Sequence, residues 1–127
     1  MDITPLIKEG QQIIQSYSAG AFRVNGHSYE SAVVVFTDQT IEWMFSGAAR
    51  ELEIEDFSLV IERSEGLDVV LLGTGARMEL VSSTLKAALK EKNIILDHMD
   101  TGAACRTYNV LMAEGRRVAA MLLPCQK

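Results

Sequence analysis

Two cysteines, two histidines and a glycine turn are the residues of this chain whose chemistry goes beyond packing. Gly73-Thr74-Gly75 comes directly after the apolar run 67–72. A glycine turn at the carboxyl end of a buried strand lets backbone N–H groups approach a phosphate or carboxylate. Position 78 is Met where a dinucleotide fingerprint has its third glycine, and no Gly-Lys-Ser/Thr follows as in a phosphate-binding loop. The turn therefore reads first as one that needs positive φ, and second as half of a small-anion site. The other half would be Asp100 and Thr101, at the start of a helix spanning 102–114.

Cys105 falls in the first turns of that helix beside Arg106, two features that lower a thiol pKa. At about 100° of rotation per residue, however, it shares the apolar face with Ala104, Tyr108, Leu111 and Met112 and reads as a packed hydrophobe. Cys125 has no partner at metal-site or redox-motif spacing, so no disulfide framework, metal centre or cofactor is expected. His98 would complete a nucleophile–base–acid set with Cys105 and an acidic residue, but the spacing does not require it. His27 sits beside a turn and reads as solvated. The other arc of the helix carries Arg106, Thr107, Asn109 and Glu114, with Arg116 just beyond, and reads as a solvated face with internal ion pairing. If Asn109 or Arg106 is buried, it must hydrogen-bond neighbouring backbone, a partner chain or an anion.

The elements that position these residues follow from periodicity and turn chemistry. Asn25-Gly26 between 21–24 and 27–30 predicts a hairpin with a two-residue turn. Runs 32–37 and 40–45 predict two further strands. Ile54, Phe57, Val60 and Ile61 fall on one side of a helix, and Gly66 breaks the chain before the buried strand 67–72. Residues 78–81 form a short edge strand or a loop. Ser82 or Ser83 starts a helix over 83–92 with Leu85, Ala88 and Leu89 inward and Lys86 and Lys90 outward. Asn93 is a left-handed stop, and 94–99 is the next strand. Asp100 or Thr101 caps the last helix, Gly115 ends it, and Arg116 and Arg117 stand by its negative end before strand 117–123. Strands 67–72 and 94–99, joined through a helix, should be parallel and share a sheet with 117–123. The lone Trp43 reads as a core or interface anchor.

With 127 residues and no linker, repeat or low-complexity tract, the chain reads as one domain over 1–127. Its net charge of −5 argues against nucleic acid. No apolar run reaches the ~18 residues of a membrane span, and the first residues lack a basic-then-apolar progression, so a cytoplasmic location is expected.

Taken together, Leu71-Leu72-Gly73-Thr74-Gly75, Met99-Asp100-Thr101, the run from Ala103 to Leu111, and Glu114-Gly115-Arg116-Arg117-Val118 resemble the small Mth-type domain family. That family includes a mitochondrial complex I assembly factor, an adipogenesis-associated protein and many bacterial and archaeal proteins. The likeness extends over essentially the whole chain. It departs at Asp97-His98, where relatives carry a Glu-Val type pair, and at Asn93, where many have Gly. The resemblance implies an α/β fold of three layers, with a central mixed β-sheet, helices packed on it and an N-terminal antiparallel hairpin region. It also implies no established catalytic activity. The expected role is binding or assembly through protein partners, with a small anion at the glycine turn as the alternative. Gly73, Thr74, Gly75, Asp100, Thr101, Arg106, Asn109, Glu114 and Arg116 are the candidate ligand or interaction residues.

Overall fold

A computed structural model describes residues 10–18 and 20–125. Asn25 and Gly26 have φ of 49° and 82°. Positive values at both positions are what a hairpin turn matched to strand twist requires. They join β2 (Phe22–Val24) to β3 (His27–Tyr29), and β1 (Ile14–Ser16) pairs antiparallel with β2 to complete a three-stranded sheet. The second sheet holds β4 (Val33–Phe36), β5 (Thr40–Glu42), β6 (Val69–Gly73), β7 (Leu96–Met99) and β8 (Val118–Leu122) in the order β5-β4-β8-β6-β7. The pairs β6/β7 and β6/β8 are parallel and β4 runs antiparallel to both β5 and β8, so the sheet is mixed. Strands 67–72, 94–99 and 117–123 do share this sheet, each with slightly different ends.

Two helices cover opposite faces. In α2 (Ser83–Glu91) the Ser82 hydroxyl accepts the Leu85 N–H at 3.2 Å, and in α3 (Thr101–Ala113) the Asp100 carboxylate accepts the Ala103 N–H at 2.8 Å. Each cap satisfies one of the free donors of a first helical turn. Beyond the ends, Asn93 and Gly115 have φ of 66° and 84°, the left-handed stops expected there. Leu85 and Leu89 pack with Val34, Val70, Leu72, Leu96 and Met121 on one side of the five-stranded sheet. Tyr108, Met112, Ala104 and Cys105 pack with Val33, Val35, Leu71 and Ala120 on the other. The three-stranded sheet joins this second side through Ile14, Phe22 and Val24, forming with α3 the third layer.

Four local expectations change. Residues 54–61 form a 3-10 turn (Ile54–Phe57) and then a single α-turn, α1 (Ser58–Ile61). The Trp43 indole N–H takes the Asp56 carbonyl at 2.9 Å, and Phe57 leaves the helical region with φ −102° and ψ 13°. Trp43 also stops β5 early, turning into the core to stack on Phe45 and meet Phe57 edge-on. Ile94 and Ile95 precede β7 rather than belonging to it, whereas residues 78–81 take the loop alternative, without regular structure. Finally, β1 carries no alternation that would announce it.

β1 pairs with β2 on one side and is held on its outer edge by Asn109. Its side-chain oxygen accepts the Ile14 N–H at 3.0 Å, and its side-chain NH₂ donates to the Ile14 carbonyl at 2.8 Å. One amide side chain thus pairs with the backbone of an edge strand as a neighbouring strand would. This corrects the reading of Asn109 as part of a solvated face: it is half-buried and bonded to neighbouring backbone, the outcome its burial demanded. Next to it, the Tyr108 hydroxyl donates to the Gln12 carbonyl at 2.9 Å, with the Phe36 carbonyl at 3.3 Å. Asn109→Ala removes both bonds at once. It is expected to cost about 1–3 kcal/mol in chemical denaturation and to speed exchange of the Ile14 amide selectively.

Candidate functional site

At the carboxyl ends of β6 and β8 the chain comes closer to itself than a side chain would permit. A Cβ built on Gly73 would stand 2.8 Å from Thr101 Oγ1 and 2.9 Å from Thr101 Cα. Glycine is required here by proximity, and at Gly75 by a φ of 110°. Thr101 fills the crevice between β6 and β8. Its hydroxyl donates to the Leu123 carbonyl at 2.6 Å and accepts the Gly75 N–H at 2.9 Å. Its backbone N–H bonds the Gly75 carbonyl at 2.8 Å. The Thr74 N–H goes to the Met99 carbonyl at 2.8 Å, and the Thr74 hydroxyl donates to the Arg77 carbonyl at 2.6 Å while accepting the Glu79 N–H at 3.0 Å. Gly73, Thr74, Gly75, Asp100 and Thr101 are thus brought together as the sequence implied. The Thr74, Gly75 and Thr101 backbone donors and the cap donor at Ala103 are directed at the protein's own oxygens.

The remaining candidate residues lie elsewhere. Arg106 is exposed and donates to the Tyr17 hydroxyl at 2.9 Å. Asn109 is the clamp on β1. Glu114 and Arg116 are exposed at the far end of α3, beside a shallow cavity of about 340 Å³ that also touches Gln11 and Thr37.

The two thiols follow burial. Cys105 is 1% exposed, and burial pushes its pKa from 9.0 to about 12, the nearby Cys125 adding to the shift and Arg106 opposing it. The Cys125 thiol is also raised, by burial and then by the Asp100 carboxylate, against the lowering effect of the neighbouring Thr101 side chain and Gly102 backbone. Its sulfur therefore sits against the first turn of α3. His98 cannot reach Cys105: it pairs in register with Leu72, on the α2 side of the sheet, whereas Cys105 lies on the α3 side. The nucleophile–base–acid set is thereby dissolved by the alternation of a strand's side chains.

A cavity that the sequence did not signal opens beside Gly75. It measures about 540 Å³ and is lined by Glu30, Ser31, Phe45, Ser46, Thr74 and Glu79 among others. Its residues come from four separate loops, so no local motif announces it. Glu79 Oε1 is shut off from solvent and accepts no hydrogen bond, with Arg50 Nη1 3.9 Å away. Two carboxylates and no lining cation suit a positively charged group better than an anion. Among the described residues, no group of three or more His, Cys, Asp or Glu side chains is arranged to hold a metal ion.

The fold is a three-layer α/β domain of the Mth938-like kind. A Bordetella pertussis protein described as a Mth938-like domain shares the fold, with a TM-score of 0.81 at 24% identity over 100% of this chain and 94% of that one. A family model described as "Protein of unknown function (DUF498/DUF598)" matches residues 14–123, and the chain belongs to that family. A Bartonella henselae structure, described as that of an outer membrane protein, is 35% identical with a TM-score of 0.82, covering 92% of this chain and 98% of the other. The Danio rerio protein named NADH dehydrogenase [ubiquinone] 1 alpha subcomplex assembly factor 3 is 33% identical over 112 residues, 88% of this chain and 64% of that protein. The chain spans less than two thirds of the length of such vertebrate relatives. No helix among the described residues is long and apolar enough to cross a membrane.

Two outcomes follow from this corner. Thr101→Val keeps the shape but leaves the Gly75 N–H and the Leu123 carbonyl without partners, an expected loss of about 2–5 kcal/mol by denaturant titration, whereas Thr101→Ser restores most of it. Cys105 is expected to react with a thiol reagent at neutral pH only on unfolding, well after Cys125. Because the unfolded chain ionises this thiol near 9 and the folded chain near 12, its contribution is complete below pH 9 and is lost as pH rises through 12. Cys105→Ala should lessen that alkaline loss while costing on the order of 1 kcal/mol in packing.

Proposed function

We propose that this chain is a non-enzymatic, assembly-factor-like protein that works through contacts with other proteins, with NADH dehydrogenase subunits as the partner class. The single observation carrying this reading is the 33% identity, along 88% of the chain, with a protein named as an NADH dehydrogenase assembly factor. The chemistry of the interior agrees with it. Thr74, Thr101, Tyr108 and Asn109 have their hydrogen-bonding groups engaged by the protein's own backbone. Cys105, protonated up to about pH 12 and separated from His98 by the sheet, forms no activated nucleophile.

The alternative, a small anion or metabolite held by Gly73-Thr74-Gly75 and the start of α3, draws less support, because Thr101 occupies the crevice and takes the Gly75 donor. Affinity isolation of the tagged chain from its native host tests the assembly reading. NADH dehydrogenase subunits are expected in the eluate, and deletion of the gene is expected to lower NADH-dependent ubiquinone reduction in membranes. Retrieval of no such subunit, with unchanged activity in the deletion strain, would overturn it.

A further inference from the structure

The five-stranded sheet ends at β7, and the outer side of that strand is unpaired among the described residues. The Val70 N–H bonds the Ile95 carbonyl at 2.9 Å and the Thr74 N–H bonds the Met99 carbonyl at 2.8 Å. By the period of two, Ile95, Asp97 and Met99 turn their backbone groups toward β6, so Leu96 and His98 turn theirs outward. The molecule caps a comparable edge elsewhere, since Asn109 pairs with Ile14 at the edge of β1. At β7 no side chain does so. A groove of about 400 Å³ instead runs between the strand and α2, with Ala87, Ile94, Ile95 and Leu96 as its apolar lining and Lys86 and Lys90 on its rim. Ile95 is 65% exposed.

The charge around this groove is unusual for the chain. Despite a net charge of −5, every lysine among the described residues is on α2 or its C-cap: Lys86, Lys90 and Lys92. None of the three takes part in an ion pair among the described residues; those present use Arg50, Arg63 and Arg117. The opposite edge, β5, is flanked by a cavity lined by Glu42, Glu55 and Asp56. An unpaired strand beside an apolar groove is a template for strand addition, and lysines on its rim select for acidic residues.

Resting on the protein-contact reading above, we propose that the β7 edge is the docking surface, and that its occupant is an extended acidic–apolar segment of a partner protein added as a sixth strand. A second copy of this chain is a poor occupant. Antiparallel pairing of β7 with β7 about a two-fold axis would set the two α2 helices side by side on one face, with Lys86 and Lys90 of each facing the other pair.

The test uses the intact chain labelled with ¹⁵N and two blocked nonapeptides, EEVTVTVEE and KKVTVTVKK, at about millimolar concentration, the range suited to a weak isolated strand. The acidic peptide is expected to shift the Leu96 and His98 amide signals and slow their exchange, leaving the β5 amides unchanged. The basic peptide is expected to do neither. Lys86→Glu/Lys90→Glu, two exposed substitutions, should weaken acidic-peptide binding by roughly tenfold or more. His98→Pro removes an outward N–H without breaking the β6 ladder, a position where an edge strand tolerates proline, and should abolish binding while the β6 and β8 signals stay in place. Equal binding of both peptides, no shift at Leu96 and His98, or self-association through β7 would overturn the proposal. So would undiminished capture of NADH dehydrogenase subunits by the Lys86→Glu/Lys90→Glu chain, a result that leaves the assembly reading standing.

Discussion

The contact between Gly73 and Thr101 is the constraint around which the rest of the molecule is arranged. β6 ends, α3 begins and β8 leaves the sheet within one hydroxyl group's reach, and that hydroxyl bonds the Gly75 N–H and the Leu123 carbonyl together. Valine has the shape without the polar atom, and serine has the polar atom without the methyl group that helps fill the crevice. Because Thr101 is fully buried, the pairing with Gly75 and Leu123 forms where water cannot substitute for it. The same contact sets where α3 lies across the sheet, and hence which residues of α3 reach Val33, Val35 and Leu71.

From that placement the remaining chemistry follows. α3 brings Cys105 into an apolar layer where its thiol stays protonated, and brings Asn109 to the height at which its amide meets Ile14. Tyr108 reaches past both to the Gln12 carbonyl, fastening the approach to β1 onto the central sheet. Asp68 and Arg117 join the opposite ends of β6 and β8, with Arg117 donating to both carboxylate oxygens and holding the Asp68 carboxyl below its ordinary value. That pair lies at the surface, so it adds alignment more than stability.

The assembly-factor reading fits a molecule whose interior is hydrogen-bonded to itself and whose surface is uneven in charge. A catalyst needs groups held ready and unsatisfied until substrate arrives. Here Thr74, Thr101, Tyr108 and Asn109 are already bonded, and the unsatisfied features are peripheral: the Glu79 oxygen in the cavity by Gly75, the buried His98 Nδ1 on the edge strand, and the free edge of β7 beside the lysines of α2. Recognition at the surface is the chemistry such a distribution supports.

The α/β alternation of the second half, the Asn25-Gly26 hairpin and the stops at Asn93 and Gly115 were legible in the sequence, and the caps were narrowed to Ser82 or Ser83 and to Asp100 or Thr101. Each depends on backbone preferences and side-chain period acting within a few residues. The apolar setting of Cys105 was legible for the same reason, since a helix face is a local property. β1 was not legible, because its three residues show no alternation and its outer edge at Ile14 is held by an asparagine 95 positions away. Nor was the break near Phe57, where the Trp43 indole reaches across to Asp56. Glycine, threonine and the start of a helix announced a corner at 73–75 and 100–101, but whether its donors faced outward or inward depended on how closely α3 approached β6. That distance, the separation of His98 from Cys105 by the sheet, and the gathering of four loops into one cavity belong to the tertiary structure alone, because each joins segments whose distance along the chain leaves no trace in local periodicity.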